Sequence, residues 1–252
     1  MAKTAVITGG GNGIGQETAL LFLENGFNVV IAGRHDEKLR DTLRLAGDKA
    51  NQALAVVADV TDEAAVKKLF AAAVERFGRV DFLFNNAGTT SVGATGTGLL
   101  DVPADVWREV LDANLTSVFL CAKEAIRIMI NQNPQGGRIV NNGSVSTQVP
   151  RPNSAPYVAS KTGITGLTRS ISLDFRRYNI CCGQIDIGNA ATEQVMRHAK
   201  GSIQADGEIR KEALMSVKDV ARALLFMATL PEEANVFDMT ILANQMPFVG
   251  RG

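Results

Sequence analysis

The sequence is poor in histidine and cysteine, and this scarcity argues against metal chemistry. Its 252 residues include two histidines, His35 and His198, and three cysteines, Cys121, Cys181 and Cys182. The histidines are isolated and the cysteines lack the spacing of a zinc site, so we expect no metal. Unpaired cysteines usually serve as small core hydrophobes. An odd number of them suits a reducing compartment, and we therefore expect a cytoplasmic protein.

The sequence also lacks an excess of charge and any long hydrophobic run. Lys+Arg and Asp+Glu both number 26, which gives a formal net charge of +0. Proteins that bind nucleic acid usually carry a basic excess, so we expect no nucleic-acid partner. No apolar run approaches the length of a membrane-spanning helix, and the chain begins at once on the strand-like Thr4–Thr8. We expect neither a membrane segment nor a leader peptide.

Short apolar runs alternate with amphipathic stretches along most of the chain. The runs predict strands at Thr4–Thr8, Asn28–Ala32, Ala53–Ala58, Asp81–Asn85, Arg138–Asn142, Ile180–Asp186 and near Phe237–Leu242. Helices are predicted at Gly13–Asn25, Glu63–Phe77, Asp105–Asn131 with a break near Ala113, and Ala155–Arg177. This alternation is typical of a parallel sheet covered on both faces. With no linker tract or repeat, it predicts one α/β domain over residues 1–252, a doubly wound parallel sheet of about seven strands.

A glycine-rich turn joins the first predicted strand to the first helix. Residues 8–15 read Thr-Gly-Gly-Gly-Asn-Gly-Ile-Gly. Glycines permit a tight turn and a close approach to a pyrophosphate, while the helix N-terminus offers free N–H groups. A plain strand-to-helix turn is the alternative, but the place of the turn in a doubly wound sheet favours a Rossmann-type dinucleotide site. The expected cofactor contacts here are Gly9, Gly11, Asn12, Gly13, Ile14 and Gly15.

The residue after the second strand bears on which dinucleotide binds. An acidic side chain at this place would accept hydrogen bonds from the adenosine ribose and repel a 2′-phosphate. The chain has Arg34 instead, whose guanidinium is suited to pair with a 2′-phosphate. An exposed arginine at the start of the next helix is the other interpretation. The sequence favours NADP(H), and NAD(H) is possible.

A tyrosine, a lysine and a serine form the candidate catalytic group. Tyr157 and Lys161 lie four residues apart, on one face of a predicted helix. A free tyrosine, with a pKa of about 10, is a poor acid–base catalyst at neutral pH. We expect the Lys161 ammonium to stabilise the tyrosinate and lower that pKa. Ser144 is expected to hydrogen-bond the substrate oxygen. The Tyr–Lys spacing alone is common in helices and identifies no reaction.

Taken together, these motifs resemble the classical short-chain dehydrogenase/reductase family over nearly the whole chain. Residues 8–15 match its Thr-Gly-x-x-x-Gly-x-Gly turn, Asp59 and Val60 match its adenine-contacting pair, and residues 85–88 (Asn-Asn-Ala-Gly) match its motif after the fourth strand. The catalytic tetrad of the family is matched by Asn114, Ser144, Tyr157 and Lys161.

The resemblance implies hydride transfer between NADP(H) and a carbonyl or secondary alcohol. It makes Tyr157 the acid/base, lets Ser144 position the substrate, gives Lys161 a second task of holding the nicotinamide ribose, and has Asn114 support a water in a proton relay. Further cofactor contacts are implied at Asn86, Ala87, Gly88, Asp59, Val60, Ile187 and Thr192. The alternatives are a 3-oxoacyl thioester reductase and a non-catalytic NADP(H)-binding sensor.

The chain departs from the family pattern in three places. After the sixth strand it has Ile187-Gly188 where the family typically carries Pro-Gly, which puts the shape of the loop beside the nicotinamide in question. Residues 243–252 lack the usual Asp-Gly-Gly ending. Asn12 stands where some NADP-dependent members have a basic residue. The residue at position 12 weakens the case for NADP(H) over NAD(H), whereas the catalytic motif is intact.

Substrate contacts are expected from residues 89–98, 145–156 and 187–208, with a substrate loop over about 187–212. These segments are mixed in polarity and leave sugars, 3-oxoacyl thioesters and xenobiotic ketones all open. Arg151 is expected to be an exposed loop arginine rather than an anion site. The partner is therefore a small carbonyl or alcohol of undefined identity.

A stripe of small residues along the helix of Tyr157 bears on assembly. Ala159, Gly163, Gly166 and Ser170 recur at helical spacing, and glycines inside a helix cost stability unless something packs closely on them. Contact with another helix of the same subunit is one explanation. The family resemblance favours the other, a homo-oligomer, either a tetramer or a dimer.

Overall fold

Seven parallel strands form the central sheet of the computed structural model, which describes residues 2–89, 98–193, 195 and 201–249. The strands are β1 Thr4–Thr8, β2 Asn28–Gly33, β3 Ala53–Val57, β4 Phe82–Asn85, β5 Gly137–Asn142, β6 Ile180–Ile187 and β9 Asp238–Ile241. Their spatial order is β3-β2-β1-β4-β5-β6-β9, and every neighbouring pair is parallel. The predicted fold class is confirmed, with strand ends within one residue of the expectation.

Helices cover both faces of the sheet. They are α1 Gly13–Glu24, α2 Asp36–Leu45, α3 Glu63–Phe77, α4 Ala104–Leu111, α5 Ser117–Asn131, α6 Ala155–Phe175 and α7 Val217–Thr229. Each face of the sheet has its own apolar core, and alternate residues of β1 belong to different cores. Ala5 and Ile7 pack against α1 and α7, whereas Val6 packs against α3 and α5. The strands β1, β2 and β4 are buried on both sides and are therefore mostly apolar, whereas β3 is half-buried and β9 has exposed residues at alternate positions.

The strand order reverses between the parallel neighbours β1 and β4: successive strands are added toward one edge of the sheet from β1 to β3 and toward the other edge from β4 onward. In doubly wound sheets, ligands bind in the crevice at the carboxyl ends of the strands beside such a reversal. The glycine turn after β1 and the Asn-Ala-Gly motif after β4 therefore meet at one place. This geometry positions the candidate site.

Three local features differ from the sequence prediction. The expected break near Ala113 is a π-helical segment, Asp112–Thr116, that joins α4 to α5 without interrupting the helix. The helix α6 ends at Phe175 and is followed by a 3₁₀ turn at Arg176–Tyr178. Two short antiparallel strands, β7 Ser202–Ile203 and β8 Ile209–Arg210, lie inside the predicted substrate loop. Two-residue strands carry too little periodicity to be found in a sequence.

The small-residue stripe of α6 has two kinds of surroundings. A Cβ at Gly163 would lie 2.7 Å from Leu115 of the same chain, so at this position the intrachain explanation holds. Gly166 is exposed, and a Cβ there would meet nothing within 4 Å. Cys121 and Cys182 are buried and Cys181 is half-buried, with all three unpaired. Among the helices of the described ranges, none has the length and apolar character needed to cross a membrane.

Candidate active site

The glycine turn is locked to the motif after β4 by one hydroxyl. Thr8 Oγ1 accepts the backbone N–H groups of Asn86 and Ala87, both at 2.9 Å. In return Asn86 Nδ2 donates to the Thr8 carbonyl oxygen at 3.0 Å. Asn142, at the end of β5, donates to Asn86 Oδ1 at 3.0 Å and extends the lock to a third strand. Three strand ends thus form one rigid floor.

Two glycines of the turn admit no other residue. Gly9 has a φ of +68°, and a Cβ there would lie 2.9 Å from Asn86 Nδ2. A Cβ at Gly15 would lie 2.2 Å from the carbonyl oxygen of Gly9. The turn therefore keeps its backbone bare and tightly curled beneath the start of α1.

The N-terminus of α1 is suited to an anion. Asn12 precedes the helix and its side chain makes no capping hydrogen bond, and the first turn contains no acidic residue. The first N–H groups of a helix have no partner within it, and the helix dipole adds positive potential there. With the bare glycine backbone alongside, these residues fit the pyrophosphate of a dinucleotide.

A cleft of about 210 Å³ opens above this floor. Most of the sequence-predicted cofactor residues line it, namely Gly9, Asn12, Gly13, Ile14, Asn86, Ala87, Gly88, Tyr157, Lys161, Ile187 and Thr192. Seven further residues line the cleft. Five of them fall in the segments expected to contact substrate, namely Thr89, Gly188, Ala190, Glu193 and Val195, whereas sequence reasoning missed Asn142 and Gly143. Residues 90–97, 194 and 196–200, expected to contribute to substrate binding, lie outside the described residues.

The remaining predicted cofactor residues are not among those that line this cleft. Gly11 packs on Lys38 of α2, where an added Cβ would lie 3.0 Å from the lysine Cβ. Arg34 and Asp59 are both exposed and follow β2 and β3, the strands at the adenosine end of such a site. The pKa of Asp59 is lowered, mainly by the N–H of Thr61 and more weakly by the charge of Arg34. Val60 beside it is buried.

Past the end of β6 the chain returns over the glycine turn. The methyl carbon of Thr192 lies 3.3 Å from the place of a Cβ on Gly13, and Lys38 Nζ lies 3.6 Å from Glu193 Oε2. The family-typical threonine was expected here, whereas the ion pair from α2 was not. Its partners are far apart in sequence, so only the fold brings them together.

Tyr157 and Lys161 lie on the inner face of α6. The Lys161 Nζ atom is 5.7 Å from the centroid of the Tyr157 ring and donates to the Asn142 carbonyl oxygen at 2.7 Å. Lys161 is 6% exposed, so its ammonium lies in the protein interior at the edge of the cleft. The predicted pair is therefore close in space and borders the same cleft as the glycine turn.

The protonation of this pair differs from the sequence expectation. Burial raises the pKa of Tyr157 above its ordinary value of 10.0, while hydrogen bonding with Ser144 and the charge of Arg151 oppose the rise. Burial also lowers the pKa of Lys161 from 10.5 to about 8. The prediction that the tyrosine pKa is lowered was wrong for the protein's own groups, because burial outweighs the Ser144 hydrogen bond and the charge of Arg151.

Ser144 is held from both sides. Its Oγ accepts the N–H of Ser146 at 3.1 Å, and its own N–H donates to Asp186 Oδ1 at 2.9 Å. The hydroxyl also hydrogen-bonds Tyr157. Ser144 is 4% exposed and lies just behind the cleft lining. The hydroxyl groups of Ser144 and Tyr157 are thus hydrogen-bonded to each other at the wall of the cleft.

The Asn114 side chain is fully engaged with its neighbours. Its Oδ1 accepts the N–H of Thr89 at 2.7 Å, while its Nδ2 donates to the Thr89 carbonyl oxygen at 2.9 Å and to Ser160 Oγ at 3.1 Å. Gly88 provides the space for this side chain, since a Cβ at position 88 would lie 2.7 Å from Asn114 Oδ1. The π-helical segment turns Asn114 toward Thr89 and so anchors the loop after β4.

Arg151 is not the exposed loop arginine that the sequence predicted. It forms an ion pair with Glu212, and its guanidinium also donates to Asn189 Oδ1 at 3.0 Å. Asn189 Nδ2 donates to the same Glu212 carboxylate at 2.6 Å, and Gln204 Nε2 donates to its other oxygen at 2.9 Å. This cluster joins the loop after β5, the end of β6 and the β7–β8 hairpin. Such long-range pairing leaves no local signal in the sequence.

Comparisons with known proteins agree with this geometry. The family model described as short chain dehydrogenase matches residues 3–202. A 3beta-hydroxysteroid dehydrogenase from Mediterraneibacter gnavus is 36% identical over 183 residues, which are 73% of this chain and 64% of that protein. The match therefore spans slightly less than two thirds of that relative's length.

Two solved structures share the fold over almost the whole chain. The 3-ketoacyl-(acyl-carrier-protein) reductase from Brucella melitensis, complexed with NADH, has a TM-score of 0.82 at 26% identity and covers 95% of this chain and 96% of its own. An actinorhodin polyketide ketoreductase with NADPH has a TM-score of 0.84 at 27% identity, with 96% of each chain covered. The chain belongs to the short-chain dehydrogenase/reductase family, oxidoreductases that act on alcohol and carbonyl groups.

Proposed function

We propose that this protein transfers a hydride between NADP(H) and a carbonyl or secondary alcohol, with Tyr157 as the acid/base. The observation that supports it best is the meeting of Tyr157 and Lys161 with the bare glycine turn around one cleft. When bound, the nicotinamide cofactor supplies or accepts the hydride. The protein's own residues bind, orient and move the proton.

The raised pKa of Tyr157 suits proton donation. At neutral pH the phenol holds its proton, so it can protonate the oxygen of a carbonyl as that oxygen gains charge. Ser144, hydrogen-bonded to the phenol, orients the same substrate oxygen. Lys161 supplies the nearby cation and holds the nicotinamide ribose. Asn114 anchors Thr89 at the cleft and supports a water in the proton relay. The reverse reaction uses the same atoms with the phenolate as base.

A substrate screen tests this function directly. Purified protein is mixed with NADPH and with NADH against sterols with a keto group, 3-oxoacyl thioesters, sugars and aliphatic ketones, and loss of the reduced nicotinamide absorbance is followed. We expect turnover with at least one class. A non-catalytic sensor would bind NADPH yet give no rate above that of Tyr157→Phe with any compound.

The preference for NADP(H) is assigned to Arg34. Arg34→Asp removes a charge-assisted pair with the 2′-phosphate and adds repulsion, so NADP(H) should bind roughly 5- to 150-fold more weakly, the equivalent of about 1–3 kcal/mol. NAD(H) affinity should change little. Arg44→Asp makes the same charge change at the far end of α2, where Arg44 pairs with Asp41, and serves as the control. Equal losses for both dinucleotides in Arg34→Asp would contradict the assignment.

We also propose a homo-oligomer, a tetramer or a dimer, with the exposed part of the α6 stripe in its interface. Gly166→Leu adds a bulky side chain where the chain itself has open space, so the fold should persist while the assembly dissociates. Light scattering is expected to show a multiple of 26.8 kDa for the wild type and a smaller mass for the variant. Glu75→Leu, on the exposed side of α3, is the matched control. A monomeric wild type at micromolar concentration would contradict this proposal.

The three unpaired cysteines support a cytoplasmic location.

A further inference from the structure

The strand β6 carries two buried polar side chains on the face that turns toward α6. Gln184 is 1% exposed and Asp186 is 2% exposed, and they alternate with Ile185 and Ile187, which belong to the apolar core of the opposite face. A buried carboxylate is costly unless its surroundings compensate it. The position of Asp186 therefore calls for a specific reason.

Three neutral donors surround the Asp186 carboxylate. Oδ1 accepts the backbone N–H of Ser144 at 2.9 Å and Gln184 Nε2 at 2.6 Å, and Oδ2 accepts Gln148 Nε2 at 3.4 Å. Within the described ranges no lysine or arginine forms an ion pair with it. The carboxyl group is thus solvated by neutral donors of the protein rather than by an ion-pair partner.

Gly143 makes the space for this carboxylate. A Cβ at Gly143 would lie 2.0 Å from Asp186 Oδ1 and 2.7 Å from Gln184 Nε2. Any other residue at 143 would therefore push Asp186 away from the N–H of Ser144. The glycine at position 143, next to Ser144, and the aspartate at position 186, near the end of β6, therefore depend on each other: the missing side chain of one leaves the space that the carboxylate of the other occupies.

The charge of Asp186 acts on the two residues that carry the proton chemistry. It raises the pKa of Lys161, against the lowering by burial, and it raises the pKa of Tyr157. The other charged groups that face this cluster are Arg151, which lowers the pKa of Tyr157, and the exposed Asp238 of β9, which raises the pKa of Asp186. Burial raises the pKa of the Asp186 carboxyl itself, and its three donors hold that rise down.

We propose that Asp186 is a positioning residue of the hydride-transfer reaction, which fixes Ser144 through its backbone N–H and supplies the buried negative charge that balances Lys161. The proposal rests on the proposed function and adds a residue to it. Asp186 does not line the cleft, so it acts through Ser144, Lys161 and Tyr157 rather than on the substrate. Its negative charge raises the pKa of both groups and so favours the charged lysine and the protonated phenol.

The pH profile of alcohol oxidation with NADP⁺ separates this role from a merely structural one. Asp186→Asn keeps an oxygen acceptor for Ser144 and removes the charge. Since that charge raises the pKa of Tyr157, its loss should lower that pKa, and the acid limb of the profile should move down by about one pH unit. Asp238→Asn removes a carboxylate from the neighbouring strand, at a position where water screens the charge. The acid limb of its pH profile should therefore coincide with that of the wild type.

Asp186→Ala tests the hydrogen bond to Ser144. It leaves that N–H unpaired, so kcat should fall about tenfold below that of Asp186→Asn, while the affinity for NADPH is unchanged. Variants of a purely structural aspartate would lose thermal stability and leave the acid limb in place. That result, or a limb for Asp186→Asn that coincides with that of Asp238→Asn, overturns the proposal.

A second measurement needs no turnover. The chain has two tyrosines, so carbon-13 labelling of tyrosine Cζ gives two NMR signals, and Tyr178→Phe assigns the one from Tyr157. Titration of the whole 252-residue chain with NADP⁺ bound should show a lower pKa of Tyr157 in Asp186→Asn than in the wild type. An unchanged pKa refutes the role of Asp186 even if no substrate is found. A failed substrate screen with a shifted pKa refutes the proposed function alone.

Discussion

Tyr157→Phe is expected to abolish turnover while NADPH still binds. The change removes the phenol hydroxyl that hydrogen-bonds Ser144 and leaves a ring of the same shape next to Lys161. General acid–base catalysis typically contributes 10²–10⁴-fold, so kcat should fall by about that factor. Stopped-flow rates with the best carbonyl of the screen, together with NADPH binding by fluorescence, measure the two effects separately.

The second tyrosine provides the control. Tyr178 lies in the 3₁₀ turn after α6, with its ring 6.4 Å from that of Phe175 and beneath the Arg177 guanidinium, outside the cleft lining. Tyr178→Phe removes the same hydroxyl and should keep wild-type activity. Retention of more than about a tenth of the rate in Tyr157→Phe would disprove the acid/base role, because that loss is too small for such catalysis.

Lys161→Met is expected to lose activity and yet gain stability. Burial lowers the pKa of Lys161 to about 8, which means that the folded protein disfavours the charged form by roughly 3 kcal/mol. Methionine avoids that penalty and forfeits the hydrogen bond to the Asn142 carbonyl oxygen, worth about 1 kcal/mol. The net gain of about 2 kcal/mol should raise the melting temperature by roughly 5 °C. Turnover and cofactor affinity should both drop.

The gain should depend on pH in one direction. The folded pKa of Lys161, about 8, lies below its ordinary value of 10.5. Between these values the unfolded chain binds more protons than the folded one, so wild-type stability rises with pH. The advantage of Lys161→Met is therefore largest below pH 8 and shrinks above it. Lys68→Met, at an exposed position of α3, should show neither effect. Equal melting temperatures for Lys161→Met and the wild type at pH 7 would contradict the buried-ammonium interpretation.

Patterns within single segments predicted most of the architecture. Apolar runs identified all seven strands of the sheet within one residue at each end, most directly in the central strands, which are buried on both faces and therefore mostly apolar. The same reasoning missed β7 and β8, whose two residues each are held by the hairpin rather than by their own preference. The π-helical segment Asp112–Thr116 was seen only as a break, since one extra residue per turn disturbs the helical period.

Motif spacing predicted which residues meet, but not how they interact. Tyr157 and Lys161 were expected on one helix face, and they lie there. The direction of the tyrosine pKa was wrong because burial depends on everything that packs around the site. Arg151 was assigned to the surface, although Glu212, 61 positions further along, holds it. Gly163 packs on Leu115 of its own chain, a contact that the stripe of small residues could not distinguish from a subunit interface.

The sequence by itself determined the order of strands and helices, the bare glycine turn and the identity of the residues at the strand ends. These follow from backbone freedom, hydrophobic period and the rule that carboxyl ends of parallel strands share one edge. Only the tertiary structure decided the environment of the charged groups. It lowers the pKa of Lys161, pairs Arg151 with Glu212 and places the carboxylate of Asp186 in the space beside Gly143. Electrostatic energy depends on distances and burial between remote segments, and those quantities exist only once the chain has folded.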